Sequence, residues 1–169
     1  AYARLERGRH PQRRDLLEAG QLVAQLQPRL AARLAQANLE LVVELPADVA
    51  TTPLRTDAAV VEQIVFNVVD NAAKYACSAS DRRVVLSITR DTDSIHFTTT
   101  DHGPGFASPR GARRARPFSK TAEQAAESAA GVGLGLALCK RLARELGGRL
   151  TTTSTTSGGA EVTLALPLT

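Results

Sequence analysis

Four leucines at a four-residue interval, Leu22, Leu26, Leu30 and Leu34, predict an amphipathic helix over 17–37, which Asn38 ends. "LELVVEL", 39–45, then reads as a strand stopped by Pro46. A second helix is predicted from an N-cap at Asp57 to about Tyr75, with Val61, Ile64, Val65, Val68 and Ala72 forming its apolar stripe. Alternation returns in "RRVVLSITR" (Val84, Leu86, Ile88) and "SIHFTTTD" (Ile95, Phe97), two strands that the linker "DTDS" joins into a hairpin. From Gly103 to Ala130 no periodicity survives, and Gly, Pro, Ala, Ser and Arg dominate. A connection this long is commonly a lid, with plain disorder the alternative. "GVGLGLALCKRLARELGG", 131–148, restores a helical pattern with Leu138, Leu142 and Leu146 inward and Gly147-Gly148 at its end. "RLTTTST" and "AEVTLALPL" give a closing hairpin. This order predicts an α+β fold, a two-layer α/β sandwich with helices packed on one face of a mixed sheet.

Composition narrows the field. At 169 residues and 43% apolar content the chain has material for one domain with a real core. It has no 18-residue apolar run to form a membrane segment and no signal-peptide pattern in its opening "AYARLERGRH". A net charge of +4 raises nucleic acid as a partner, but no aromatic-basic surface motif accompanies it. The densest basic run, "RGARRARPFSK" over 110–120, suits an anionic small molecule at least as well. Cys77 and Cys139 are too isolated for a disulfide framework or a zinc site, and Cys139 falls on an apolar helical stripe. Residues 1–9 read as the end of a helix stopped by "GRHP". Together with the missing initiator Met, this leads us to expect a piece of a longer protein, with 1–11 the tail of an upstream element and 12–169 the domain.

Three stretches carry candidate chemistry. On the helix ending at Tyr75, "NVVDNAAKY" sets Asn67, Asn71 and Lys74 on one face, opposite the apolar stripe. Alone, that ridge reads more readily as a solvated surface, although carboxamide oxygens are hard ligands suited to Mg²⁺ and a lysine balances phosphate. "DHGPGF", 101–106, offers Asp101 as an acceptor for an exocyclic amine, with Gly103 and Gly105 letting the chain turn beneath a flat ligand. A plain Asp-Gly turn is the alternative. Gly131, Gly133 and Gly135 open a helix, where bare peptide N–H groups and the dipole favour an anion, though a tight turn uses glycine too. The triplet is no dinucleotide fingerprint, because Leu136 stands where that needs glycine, and no Gly-Lys-Ser/Thr follows to make a Walker loop.

Taken in order and spacing, these stretches resemble the catalytic, ATP-binding domain of bacterial sensor histidine kinases, within the superfamily that includes the gyrase and MutL ATPases. Asn67–Tyr75 is similar to the N box, Asp101–Phe106 to the first glycine box, and Gly131–Leu136 to the second. "RPFSK", 116–120, resembles the short Phe-containing box of the lid, and the likeness covers residues 12–169.

The resemblance implies a Bergerat fold with a long ATP lid and a nucleotide between sheet and lid. Asp101 would accept from the adenine amino group. Asn71 and Asn67 would hold Mg²⁺, and Lys74 and Tyr75 would face phosphates and ribose. Gly103, Gly105, Phe118 and the second box (Gly131, Gly133, Leu134, Gly135, Leu136) would complete the ATP site, and Lys120 or a lid arginine would cover the γ-phosphate. Asn67, Lys74 and Lys120 are the candidate catalytic residues. The hydrolysing ATPases of the superfamily carry Glu where this chain has Asn67, which favours a kinase. A neutral imidazole is already nucleophilic and needs no base from this domain. His10, His96 and His102 lack the acidic residue that follows the family's phosphoacceptor, so the acceptor is expected on an upstream helical hairpin whose last turn would be residues 1–8. The implied partners are ATP, that hairpin and a response regulator, in a cytoplasmic domain of a parent protein anchored in the plasma membrane. Rival readings are a serine kinase of the anti-sigma-factor kind, which usually keeps the Glu, and a nucleotide-sensing module without catalysis. Ala160 departs from the family, which often has Thr after the glycines of the last hairpin.

Overall fold

The computed structural model describes residues 13–106 and 135–168. Helix α1 (Ala19–Ala35) buries Leu22, Leu26, Leu30 and Leu34 along the predicted stripe. Pro28 interrupts it on the exposed side, where the carbonyl of the exposed Ala24 that loses its intrahelical partner faces water. Asn38 adopts φ +56°, and Leu39 N–H reaches back to Leu34 O at 2.9 Å, which closes the helix where the sequence predicts. The helix starts later than expected, because β1 (Asp15–Glu18) occupies the preceding turn. Strand β2 (Glu40–Glu44) follows, then the short helix α2 (Ala47–Ala50) and strand β3 (Pro53–Thr56), neither of which the pattern predicts. Strands β1 and β3 pair antiparallel as a separate two-stranded sheet.

Helix α3 (Ala58–Tyr75) begins at the expected cap, where Asp57 Oδ1 accepts from the Ala59 and Val60 amides at 3.1 and 3.3 Å. It buries the whole predicted stripe together with Val69 and Ala73. The expected hairpin forms from β4 (Arg83–Arg90) and β5 (Ser94–Thr100), and the closing one from β6 (Arg149–Ser154) and β7 (Ala160–Pro167). The main sheet runs β2-β4-β5-β7-β6, with β2 parallel to β4 and every other pair antiparallel, so it is mixed as predicted.

Among the described residues the last helix, α4, covers 135–145. Its inward line is Leu136, Cys139, Leu142, Ala143 and Leu146, while Leu138 lies half-buried at the margin. The expected Leu138–Leu142–Leu146 stripe is therefore rotated toward Cys139, because a four-residue step drifts round a 3.6-residue helix.

All three long helices contribute to one core with Val84, Leu86, Ile88, Ile95, Phe97, Val162, Leu164 and Leu166 of the sheet. The alternate sheet residues face away from the helices; there Thr98 and Thr163 hydrogen-bond at 3.0 Å across the β5–β7 pair. The result is the α+β sandwich with helices on one face. No helix among the described residues is long and apolar enough to cross a membrane. The expected upstream turn at 1–9 and most of the expected lid at 103–130 lie outside the described residues.

Candidate functional site

The polar ridge of α3 exists, and each of its members has a different role. Asn71 is half-buried, and its carboxamide has no hydrogen-bond partner among the described residues. Asn67 is also half-buried and turns to α4, donating from Nδ2 to Cys139 Sγ at 3.7 Å, while that thiol donates to Ile64 O at 3.9 Å. Burial pushes the Cys139 thiol up from its ordinary range against the smaller opposing effect of the Asn67 bond. Lys74 is exposed and pairs with Asp70 at 2.7 Å, one turn back on the same helix. Asp70 also accepts from Arg33 of α1 at 2.6 Å. Burial alone would push its carboxyl up; the bonds and charges of Lys74 and Arg33 outweigh it and hold Asp70 below the usual carboxylate range.

Asp101 lies buried just past the end of β5. Its Oδ1 accepts from the Gly103 amide at 2.8 Å and from the Ala160 amide at 3.2 Å, while its own amide donates to Ala160 O at 3.0 Å. Oδ2 receives no hydrogen bond among the described residues. Two close approaches hold this turn in place. A Cβ at Gly103 would come within 3.1 Å of Ala76 Cβ and Tyr75 O, so the turn after Asp101 rests directly on the C-terminal end of α3. A Cβ at Gly159 would lie 1.9 Å from Asp101 O, so only glycine lets the β6–β7 hairpin reach the carboxylate. Gly105, at φ +71°, faces Gly158 O, and Ser154 Oγ accepts from Phe106 N–H at 3.1 Å.

These contacts set the Asp101–Gly103 turn against the C-terminal end of α3, where Asn71, Lys74 and Tyr75 fall in the last turn, while Asn67 lies about two turns earlier against α4. At Gly103 and Gly105 the space a side chain would need is taken by Ala76 and by the Gly158 carbonyl, which is what lets the chain turn so closely here. Gly135 begins the described part of α4, and among the described residues nothing lies within 4 Å of where its side chain would project. Leu136 next to it is buried in the core. Phe118, Lys120, Gly131, Gly133 and Leu134 lie outside the described residues. Of the histidines, His96 sits on the sheet face away from the helices and bonds Asp91 at 2.8 Å, and His102 Nδ1 lies 3.0 Å from Arg83 O.

Sequence reasoning missed Arg33, Asp70, Cys139 as a partner for Asn67, and the Ala160 amide. Asp70 was within reach, since it stands inside "NVVDNAAKY" at the spacing that pairs with Lys74. The Ala160 amide carries no residue-type signal, and its partner is 59 positions away.

A family model described as "Histidine kinase-, DNA gyrase B-, and HSP90-like ATPase" matches residues 56–169. The C4-dicarboxylate transport sensor protein DctB of Pseudomonas aeruginosa is 37% identical over 148 residues, covering 84% of this chain and 24% of that protein. The chain thus spans about a quarter of that relative's length. Among solved structures, full-length ShkA in complex with AMPPNP superposes with a TM-score of 0.70 at 25% identity, over 98% of this chain and 33% of that one. The catalytic domain of histidine kinase ThkA, nucleotide-free, gives a TM-score of 0.67 at 16% identity over 92% of this chain and 97% of that one, a likeness of fold. The chain belongs to the histidine kinase-, DNA gyrase B- and HSP90-like ATPase family, as a catalytic ATP-binding domain of the histidine kinase kind.

Proposed function

We propose that this domain binds Mg-ATP between α3 and the Asp101 turn and delivers the γ-phosphoryl group to a histidine on a helical hairpin upstream, from which a response regulator is charged. The observation that carries the reading is one juxtaposition. A half-buried carboxamide without a partner among the described residues, Asn71, shares a helix end with a carboxylate whose Oδ1 is fixed by two amides.

Each residue then has a task. Asp101 Oδ2 accepts from the adenine amino group, while Oδ1 stays with the Gly103 and Ala160 amides and holds the carboxylate in orientation. Asn71 offers its oxygen to the cation. Asn67 can do the same, because its NH₂ is directed to Cys139 and its oxygen accepts no hydrogen bond among the described residues. Both are hard, neutral oxygen donors, a set that fits Mg²⁺ carrying phosphate oxygens and waters. When bound, such a cation, held in place by these two carboxamides, would supply charge neutralisation on the phosphates. Lys74, exposed at the end of the ridge, faces the phosphates, with Lys120 covering the γ-position. The amides of Gly133 and Gly135 are assigned to the triphosphate. Asn67 cannot act as a general base, which suits an imidazole acceptor and disfavours activation of water. ATP as donor sets the domain on the cytoplasmic side of a parent protein anchored in the plasma membrane.

The test is transfer of label from γ-labelled ATP to a separately supplied phosphoacceptor hairpin. Label on the hairpin, and none on the 169-residue chain alone, is the expected result. Measurable nucleotide binding without transfer would replace the kinase reading with a nucleotide-sensing module.

A further inference from the structure

We infer that Arg33 of α1 is a positioning residue for the phosphate-facing Lys74, acting through Asp70; the inference rests on the ATP-binding reading above. Arg33 Nε lies 2.6 Å from Asp70 Oδ1, and Lys74 Nζ lies 2.7 Å from Asp70 Oδ2. Two cations therefore share one carboxylate, a cluster of net charge +1. One turn earlier on α1 the arrangement differs: Arg29 has Glu62 to itself at 2.6 Å and stacks over the Phe66 ring. Only at the Asp70 cluster does positive charge exceed negative among these interhelical pairs.

The two cations are not equivalent. The Arg33 and Asp70 side chains are 23% and 22% exposed, whereas Lys74 is 54% exposed. Lys74 is the member that can swing out to a ligand, and Arg33 is the member that stays. If Lys74 left a carboxylate with no other partner, a half-buried charge would be stranded, which is costly. Arg33 removes that cost. It keeps Asp70 neutralised while the lysine moves, so its effect on a ligand runs through Lys74 alone. Guanidinium suits the stationary role, being permanently charged and held in plane against the carboxylate.

The experiment is calorimetric titration of Mg-ATP into Arg33→Gln, made both in the parent chain and in Lys74→Ala. The expected result is affinity weakened about threefold or more in the parent background and unchanged by Arg33→Gln in the Lys74→Ala background. Arg33→Lys should recover most of the loss. The same loss in both backgrounds, or a lowered melting temperature with unaltered Mg-ATP affinity, would make the pair a mere brace between α1 and α3 and overturn the inference. Should Lys74→Ala itself leave affinity where it was, the inference falls with Lys74's assigned task. Asn71→Ala would still report on the ATP-binding reading separately.

Discussion

Oδ1 of Asp101 accepts from the Gly103 and Ala160 amides, so truncating this residue would confuse loss of a ligand contact with loss of the turn. Asn is the sharper substitution. Its single oxygen can keep both amides, while its NH₂ replaces Oδ2 and meets the adenine amino group donor to donor. Asp101→Asn is expected to melt within a few degrees of the parent, to bind ATP at least about tenfold more weakly, and to lose its preference for ATP over GTP. An unchanged ATP/GTP ratio in calorimetry would remove Asp101 from base recognition. Asp70 gives a pH prediction of definite sign. Its folded-state pKa is depressed by Lys74 and Arg33 against the effect of burial. The stabilisation it supplies is thus complete above an ordinary carboxylate pKa, about 4, and is lost as pH falls through the lowered folded value. Denaturant midpoints from about pH 5 to about pH 2 should show the gap between parent and Asp70→Asn closing toward acid; a constant gap would contradict the ion-pair account. At this scale the sequence discloses the residues proposed to face the ligand, Asn71 and Asp101, through their types and the order of their motifs. It conceals their supports: the Ala160 amide and the Cys139 thiol act through atoms that almost any residue, or an ordinary core residue, would present.

Elements divide by length in how far they can be read ahead. Helix α3 is legible along its whole length, with its start fixed by the Asp cap and its end close to Tyr75, since 18 positions carry one stripe. Strand β1, helix α2 and strand β3 are each four residues long, too short for either periodicity to register, and Pro53 opens the last of them. The hairpin β6–β7 is legible as a hairpin but not as a support of the site, because its contact with Asp101 depends on the absence of a side chain at Gly159. Two substitutions separate an element's stability from its part in the site. Asp57→Ala removes the α3 cap, about 1 kcal/mol, and should leave ATP affinity unchanged. Gly159→Ala forces a methyl toward Asp101 O, at a cost of about 1–3 kcal/mol, and should also weaken ATP binding by displacing the carboxylate. Chemical denaturation paired with nucleotide titration checks both; equal ATP affinity in the two variants would detach the hairpin from the site.

For the whole molecule, the order of motifs along the chain says more than any one of them. A polar ridge, an Asp-Gly turn, a long irregular connection and a glycine-opened helix are individually common. The fold gives their order meaning by resting the Asp101 turn on the end of the ridge through the Gly103–Ala76 approach. The most direct measurement is the ATP affinity of the chain with and without Mg²⁺, for the parent and for Asn71→Ala. The account predicts that Mg²⁺ tightens binding to the parent and not to the variant, at the same melting temperature, since Asn71 makes no hydrogen bond among the described residues. Equal tightening by Mg²⁺ in both chains would contradict it.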